Sequence, residues 1–104
     1  MDNTLGQIIS EARKKKEMSQ KVLAEKIVKE NGEKISPQYL NDIERNRRIP
    51  SHFILEEIAK VLGIDRDYLL LLAEKLPNDI RATILKRDQA TIVNAYKAFR
   101  KKLN

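Results

Sequence analysis

Cysteine is absent from this 104-residue chain, so no disulfide staples it and no thiolate holds a metal. A single histidine, His52, cannot build a zinc cluster, and the scattered acids have no histidine partner at ligand spacing. No metal or other cofactor is therefore expected. Long hydrophobic runs are missing too: the longest, over 58–64 and then 69–73, are broken by charge and far too short to span a bilayer. Asp2 and Glu11 lie near the amino terminus with no hydrophobic stretch and small-residue cleavage pattern, so no secretory signal is read and a cytoplasmic location is expected.

What remains suits one small domain, since a hydrophobic share of 41% supplies a single core with little to spare. The formal net charge is +6, divided evenly: residues 1–52 carry eleven Lys or Arg against eight Asp or Glu, and 53–104 carry ten against seven. A balance of this size permits attraction to a polyanion, but mixed charge also simply solubilises a small domain.

The pattern is helical throughout, and no strand pattern, repeat or low-complexity segment competes with it. Thr4 and Gln7 have capping-box spacing ahead of Leu5, Ile8, Ile9 and Ala12, which predicts a first helix over 4–16. Its end, Arg13 to Lys16, is cationic where the helix dipole favours cations, and the same run is a candidate phosphate contact. Ser19 caps a second helix carrying Val22, Leu23, Ala24, Ile27 and Val28, expected to run for about twelve residues, near the usual mean length, until Asn31 and Gly32 close it. Ser36 followed by Pro37 is a strong start signal for a third helix, because proline is harmless at the first helical position and disruptive deeper in.

That third helix, over 37–46, divides into an apolar side at Leu40 and Ile43 and a polar side at Gln38, Asn41, Asp42 and Arg45. So short a helix is held by packing rather than by its own propensity. Tyr39 fits the boundary equally well as core support or as ligand contact. Ser51 caps a fourth helix with a broad apolar arc from Phe53 to Leu62, ended by Gly63, and Asp65 caps a fifth that has almost no polar face. Pro77 restarts the chain. Lys86, Arg87 and Asp88 interrupt the apolar stripe of 78–103, which favours two helices there over one kinked helix.

In order and spacing, these pieces resemble the helix-turn-helix domain of the phage repressor and Cro type, the XRE-like regulators. Ser19, Gln20, Leu23, Ala24, Glu25 and Lys26 match the first motif helix, and Ile35, Ser36, Leu40, Ile43 and Glu44 match the second. Arg47, Pro50 and Ser51 follow, then Leu55, Ile58, Ala59, Leu62, Gly63, Ile64 and Leu69. The resemblance covers 5–72. One departure stands out: a glycine-centred turn usually follows soon after the position of Ile27, whereas here Val28 to Lys34 lengthen the connection. Similar domains with a longer second helix are familiar in the group, and the chain reads as such a variant.

The resemblance implies an all-α, lambda-repressor-like five-helix DNA-binding domain over 1–76. A helical extension over 77–104 would pack on that domain or mediate dimerisation. It also implies that the third helix enters the major groove and presents Pro37, Gln38, Asn41 and Asp42 to base edges. Gln38 or Asn41 would pair with adenine N6 and N7, Asp42 with cytosine N4, and Pro37 only with an apolar group such as a thymine methyl. Gln20 resembles a position that bonds phosphate and supports a base-reading glutamine. Arg45, Arg47 and Arg48 would grip the backbone, their alternative being solvated loop charge. Arg13 and Glu44 occupy positions that form an ion pair in similar domains, aiming the reading helix more than stabilising the fold.

The implied partners are a double-stranded DNA operator and a second copy of the chain, since paired domains read half-sites about 34 Å apart. The fifth helix with Ile92, Tyr96 and Phe99 offers a dimer surface, unless the last helix folds over the fifth within one chain. The rival is a protein-interaction module, such as an antitoxin or a partner-controlled phage regulator. RNA is less attractive, because no aromatic platform interleaves the basic residues. No nucleophile lies beside an evident base, and His52 reads as a first-turn residue or a phosphate contact, so an enzyme is not expected.

Overall fold

Hydroxyl and carboxylate caps start six of the seven helices in the computed structural model, which describes residues 3–104; Asp2 lies outside the described residues. The elements are α1 (Leu5–Lys15), α2 (Gln20–Lys26), α3 (Pro37–Glu44), α4 (His52–Leu62), α5 (Arg66–Leu72), α6 (Asn78–Leu85) and α7 (Gln89–Leu103). The side chains of Thr4, Ser19, Ser36, Ser51, Asp65 and Asp88 each accept a backbone N–H from the first turn, satisfying donors that have no partner inside a helix. α6 begins behind Pro77 without such a bond. The capping box at Thr4 is half formed: Thr4 accepts from the Gln7 N–H, but the Gln7 side chain turns down the helix to Glu11. The break between α6 and α7 falls at the charged interruption, with Asp88 as the cap of α7.

The second helix departs from expectation. α2 ends at Lys26, and Ile27 is already extended at φ −106° and ψ 121°. The chain then makes a small hairpin: the Ile35 N–H bonds Ile27 O, Val28 and Lys34 form an isolated antiparallel bridge, and Lys29 N–H donates to Glu33 O. Asn31 and Gly32 therefore turn a hairpin rather than close a helix; Gly32 has φ +88°, and Asn31 Oδ1 accepts from the Glu33 N–H. The reason is packing. Ile27 and Ile35 are both buried, and extended backbone carries these two β-branched side chains into the core while their main-chain groups satisfy each other. The lengthened connection is a hairpin, not a longer helix. The bridge is also the one β-type pairing among the described residues, where the sequence showed no strand pattern.

A single cluster forms the core, built by Leu5 and Ile9 of α1, Leu23 of α2, Ile27 and Ile35, Leu40 and Ile43 of α3, the apolar arc of α4, and Leu69 and Leu70 of α5. Every member lies between residues 5 and 73. α6 and α7 contribute no buried residue. No helix among the described residues is long and apolar enough to cross a membrane.

Candidate nucleic-acid interface

α3 is seated on its apolar side and gripped at its carboxyl end. Leu40 and Ile43 have no exposed surface, and α3 packs against α1 and α2. At the last turn, Arg13 of α1 holds Glu44 through two parallel bonds, Nε to Oε2 at 2.7 Å and Nη2 to Oε1 at 2.9 Å. The pair is close to dry, with side-chain exposures of 11% and 5%. Arg13 Nη1 donates to Met18 O at 2.8 Å, so one guanidinium ties α1, the α1–α2 turn and α3 together. The hydrogen bond to Glu44 raises the pKa of Arg13 against the opposing effect of burial.

A second clamp lies one turn away. Asn46 sits at φ +60°, a left-handed position tolerable for asparagine, and its Oδ1 accepts the Gly6 N–H at 2.9 Å while its Nδ2 donates to Thr4 Oγ1 at 3.0 Å. Gly6 permits this approach, because a Cβ there would fall inside contact distance of the Glu44 and Ile43 backbone carbonyls. Both ends of α1 therefore brace the carboxyl end of α3. Neither Gly6 nor Asn46 carried a motif signal. Asn46, in the stretch between a helix end and Pro50, was the one available hint, since asparagine tolerates positive φ.

The opposite flank of α3 is open. Pro37 and Gln38 are exposed, Asn41 and Asp42 are half-buried, and α6 and α7 bury no residue of their own against them. The side chains on this flank are already joined. Gln38 Nε2 donates to Asp42 Oδ1 at 3.0 Å, and Gln20 Nε2 donates both to Asn41 Oδ1 at 3.2 Å and to Glu44 Oε1 at 3.1 Å. Gln20, placed at the start of α2, thus reaches across to the middle of α3.

Arg45, Arg47 and Arg48 are exposed at the carboxyl end of α3. Arg47 stands 3.8 Å from Asp42 and also donates its backbone N–H to Asp42 O. Arg48 lies over the Tyr39 ring at 4.4 Å, a cation–π contact that uses the outer face of an aromatic half-sunk in the core. His52 is a half-buried first-turn residue of α4. No cluster of three or more potential metal ligands occurs among the described residues.

The extension presents a different surface. Leu71, Leu76, Ile80, Ile84, Ile92, Tyr96 and Phe99 line one apolar groove where α5, α6 and α7 meet. α7 does not close over α5: Leu71, Tyr96 and Phe99 remain 56%, 52% and 48% exposed.

A family model described as helix-turn-helix matches residues 9–69. Among curated proteins, the chain is 42% identical to multiprotein-bridging factor 1 of Saccharomyces cerevisiae over 64 residues, 62% of this chain and 38% of that protein. It is 44% identical to the immunity repressor protein of Bacillus phage phi105 over 61 residues, 59% of this chain and 38% of that one. The matched region thus spans well under half the length of either relative. Among solved structures, a chain of the SinR protein/SinI protein complex superposes with a TM-score of 0.53 at 29% identity, covering 95% of this chain and 99% of that one. The family match spans the motif helices, and this chain belongs to the helix-turn-helix family, in its XRE/Cro type, as a regulatory module rather than an enzyme.

Proposed function

We propose that the chain binds double-stranded DNA sequence-specifically by inserting α3 into the major groove, and that it represses transcription as a dimer in the cytoplasm. The observation that carries this is the open flank of α3, Pro37, Gln38, Asn41 and Asp42, held out by a helix whose other side is fully packed. A helix so seated presents its amino-terminal residues to base edges. The exposed Arg45, Arg47 and Arg48 stand where they grip the phosphate backbone on either side. Similarity to a phage immunity repressor supports repression as the outcome.

Residues 1–76 act as the reader in this proposal and 77–104 as the assembly element. One reader contacts too few base pairs to be specific against a genome, and a two-fold pair doubles the site. The unfilled apolar groove of α5, α6 and α7 supports pairing through the extension. It equally favours a second reading, in which a regulatory protein occupies that groove and DNA binding is secondary. The match over nearly the whole chain to a component of a two-protein complex gives that reading its weight.

Selection of duplexes from a random pool tests the proposal, followed by measurement of the winning sequence across salt. Enrichment of a two-fold symmetric site with a steep salt dependence is expected. No enrichment at low salt would overturn it. Sedimentation at micromolar concentration tests the dimer, and a strict monomer contradicts it. Capture of a stable foreign protein by the extension would move the weight to the second reading.

A further inference from the structure

The polar flank of α3 is wired to a charge in the interior, and the wiring has a direction. A carboxylate only accepts hydrogen bonds. Glu44, fixed by Arg13, therefore obliges the Gln20 amide to turn its nitrogen inward, as the 3.1 Å contact from Nε2 to Oε1 records. The same nitrogen reaches Asn41 Oδ1 at 3.2 Å, so both amide protons of Gln20 are engaged. Asn41 must then face Gln20 with its oxygen and carry its NH₂ group outward. The orientation of a surface amide, ordinarily free to flip, is set by a salt bridge beneath it.

Four residues after Gln38, Asp42 acts on a neighbouring amide. Its carboxylate takes one proton of Gln38 Nε2 at 3.0 Å, which leaves Gln38 with its oxygen and one N–H for other partners. The two amides are thus left with different edges: Asn41 offers donors, whereas Gln38 offers a donor beside an acceptor.

These edges suit different purines. In the major groove guanine presents two acceptors, O6 and N7, whereas adenine presents the acceptor N7 beside the donor N6–H₂. Resting on the DNA-binding reading proposed above, we infer that the Arg13–Glu44 pair, acting through Gln20, makes Asn41 a reader of guanine. Adenine remains the match for Gln38. Gln20 is a positioning residue in this arrangement, its amide protons turned to Asn41 and Glu44 rather than to phosphate.

Duplex selection with the wild-type chain and three variants tests the inference. Asn41→Ala identifies the base step that Asn41 reads, by erasing preference there. At that step the wild type is expected to favour guanine over adenine by about ten-fold or more, the discrimination a good paired contact supplies. Gln20→Met keeps side-chain length but cannot donate, so Asn41 is released to present either edge. Its guanine-to-adenine ratio should fall toward unity while preferences at other steps and the salt slope stay as in the wild type.

Asn41→Asp preserves an acceptor for Gln20 and turns an acceptor outward. Guanine should then give way to cytosine, whose N4–H₂ is a donor. This variant changes a half-exposed side chain, so it retains a readout if Gln20→Met fails to fold. An adenine preference at the Asn41 step in the wild type overturns the inference and leaves DNA binding intact. So does an unchanged guanine preference in Gln20→Met or Asn41→Asp. A uniform loss of affinity in Gln20→Met, with a shallower salt slope, would assign Gln20 to phosphate instead. If the wild type enriches no duplex, the DNA-binding reading fails and this inference with it.

Discussion

Residues 5–73 and residues 78–103 both form amphipathic helices, yet only the first group has its apolar side buried. In the body, sixteen hydrophobic residues between Leu5 and Ala73 are buried in one cluster. In the extension, α6 and α7 bury none. The lesson is that an amphipathic stripe marks a face to be covered and does not say by what. Within the body the answer lies in the same chain. In the extension no residue is buried, so the proposed assembly element and the proposed reader should respond differently to the same substitution.

The largest contrast should come from truncating one apolar side chain in each. Leu55 of α4 is fully buried, so Leu55→Ala should cost about 2–5 kcal/mol by lost transfer energy and the cavity left behind. Phe99→Ala in α7 removes a larger but half-exposed ring and should change the stability of the isolated monomer by about 0.5 kcal/mol or less. Urea unfolding at low and high protein concentration reads both. If the groove is a dimer surface, the Phe99→Ala loss should grow with concentration, whereas that of Leu55→Ala should not.

Next in size is the near-dry Arg13–Glu44 pair. Removing only the guanidinium, as in Arg13→Met, leaves Glu44 without its charged partner and Met18 O without its donor, a loss of about 3 kcal/mol. Arg13→Met with Glu44→Leu should recover most of that loss in unfolding measurements, since the desolvation of both charges disappears together. Negligible coupling in the mutant cycle would show that the pair neither stabilises nor aims α3. Gly6→Ala tests the other clamp. Its methyl group meets backbone carbonyls that cannot rotate aside, so α1 must move away from Asn46, at a cost of about 1–3 kcal/mol.

Sequence signals and physical outcome agree best where one residue acts locally. Ser36 before Pro37, Ser51 before α4, Gly63 after it and Asp88 at the charged break each start or stop a helix through their own backbone or side chain. The hairpin at 27–35 was not legible, because Asn31–Gly32 serves a helix end and a hairpin turn equally, and only the burial of Ile27 against Ile35 decides between them. The residues of the candidate site were nameable from the motif, but not the bonds among them. That Gln20 turns to Asn41 and that Gly6 admits Asn46 follow from distances between segments 21 and 40 residues apart, and that Gln38 turns to Asp42 is a rotamer choice within one helix.

The smallest effect separates the start of α7 from the starts of α1 to α4 by pH. Hydroxyl groups cap α1 to α4, and these do not titrate in the acid range. Asp88 caps α7, and hydrogen bonds from Thr91, through its side chain first and its backbone N–H second, hold the carboxyl below its ordinary value. A carboxyl whose pKa is lower folded than unfolded stabilises the folded form above the unfolded value, about 3.9, and that contribution is lost as pH falls through the lower folded value. Acid should therefore loosen the first turn of α7 before it touches the starts of α1 to α4. The Thr91 amide proton followed by NMR between pH 6 and about 2, the span that brackets an aspartate titration, reads this directly, with Asp88→Asn as control, because asparagine caps a helix without titrating. A Thr91 amide that titrates at the ordinary aspartate value, or responds equally in Asp88→Asn, would show that the cap does not hold the start of α7.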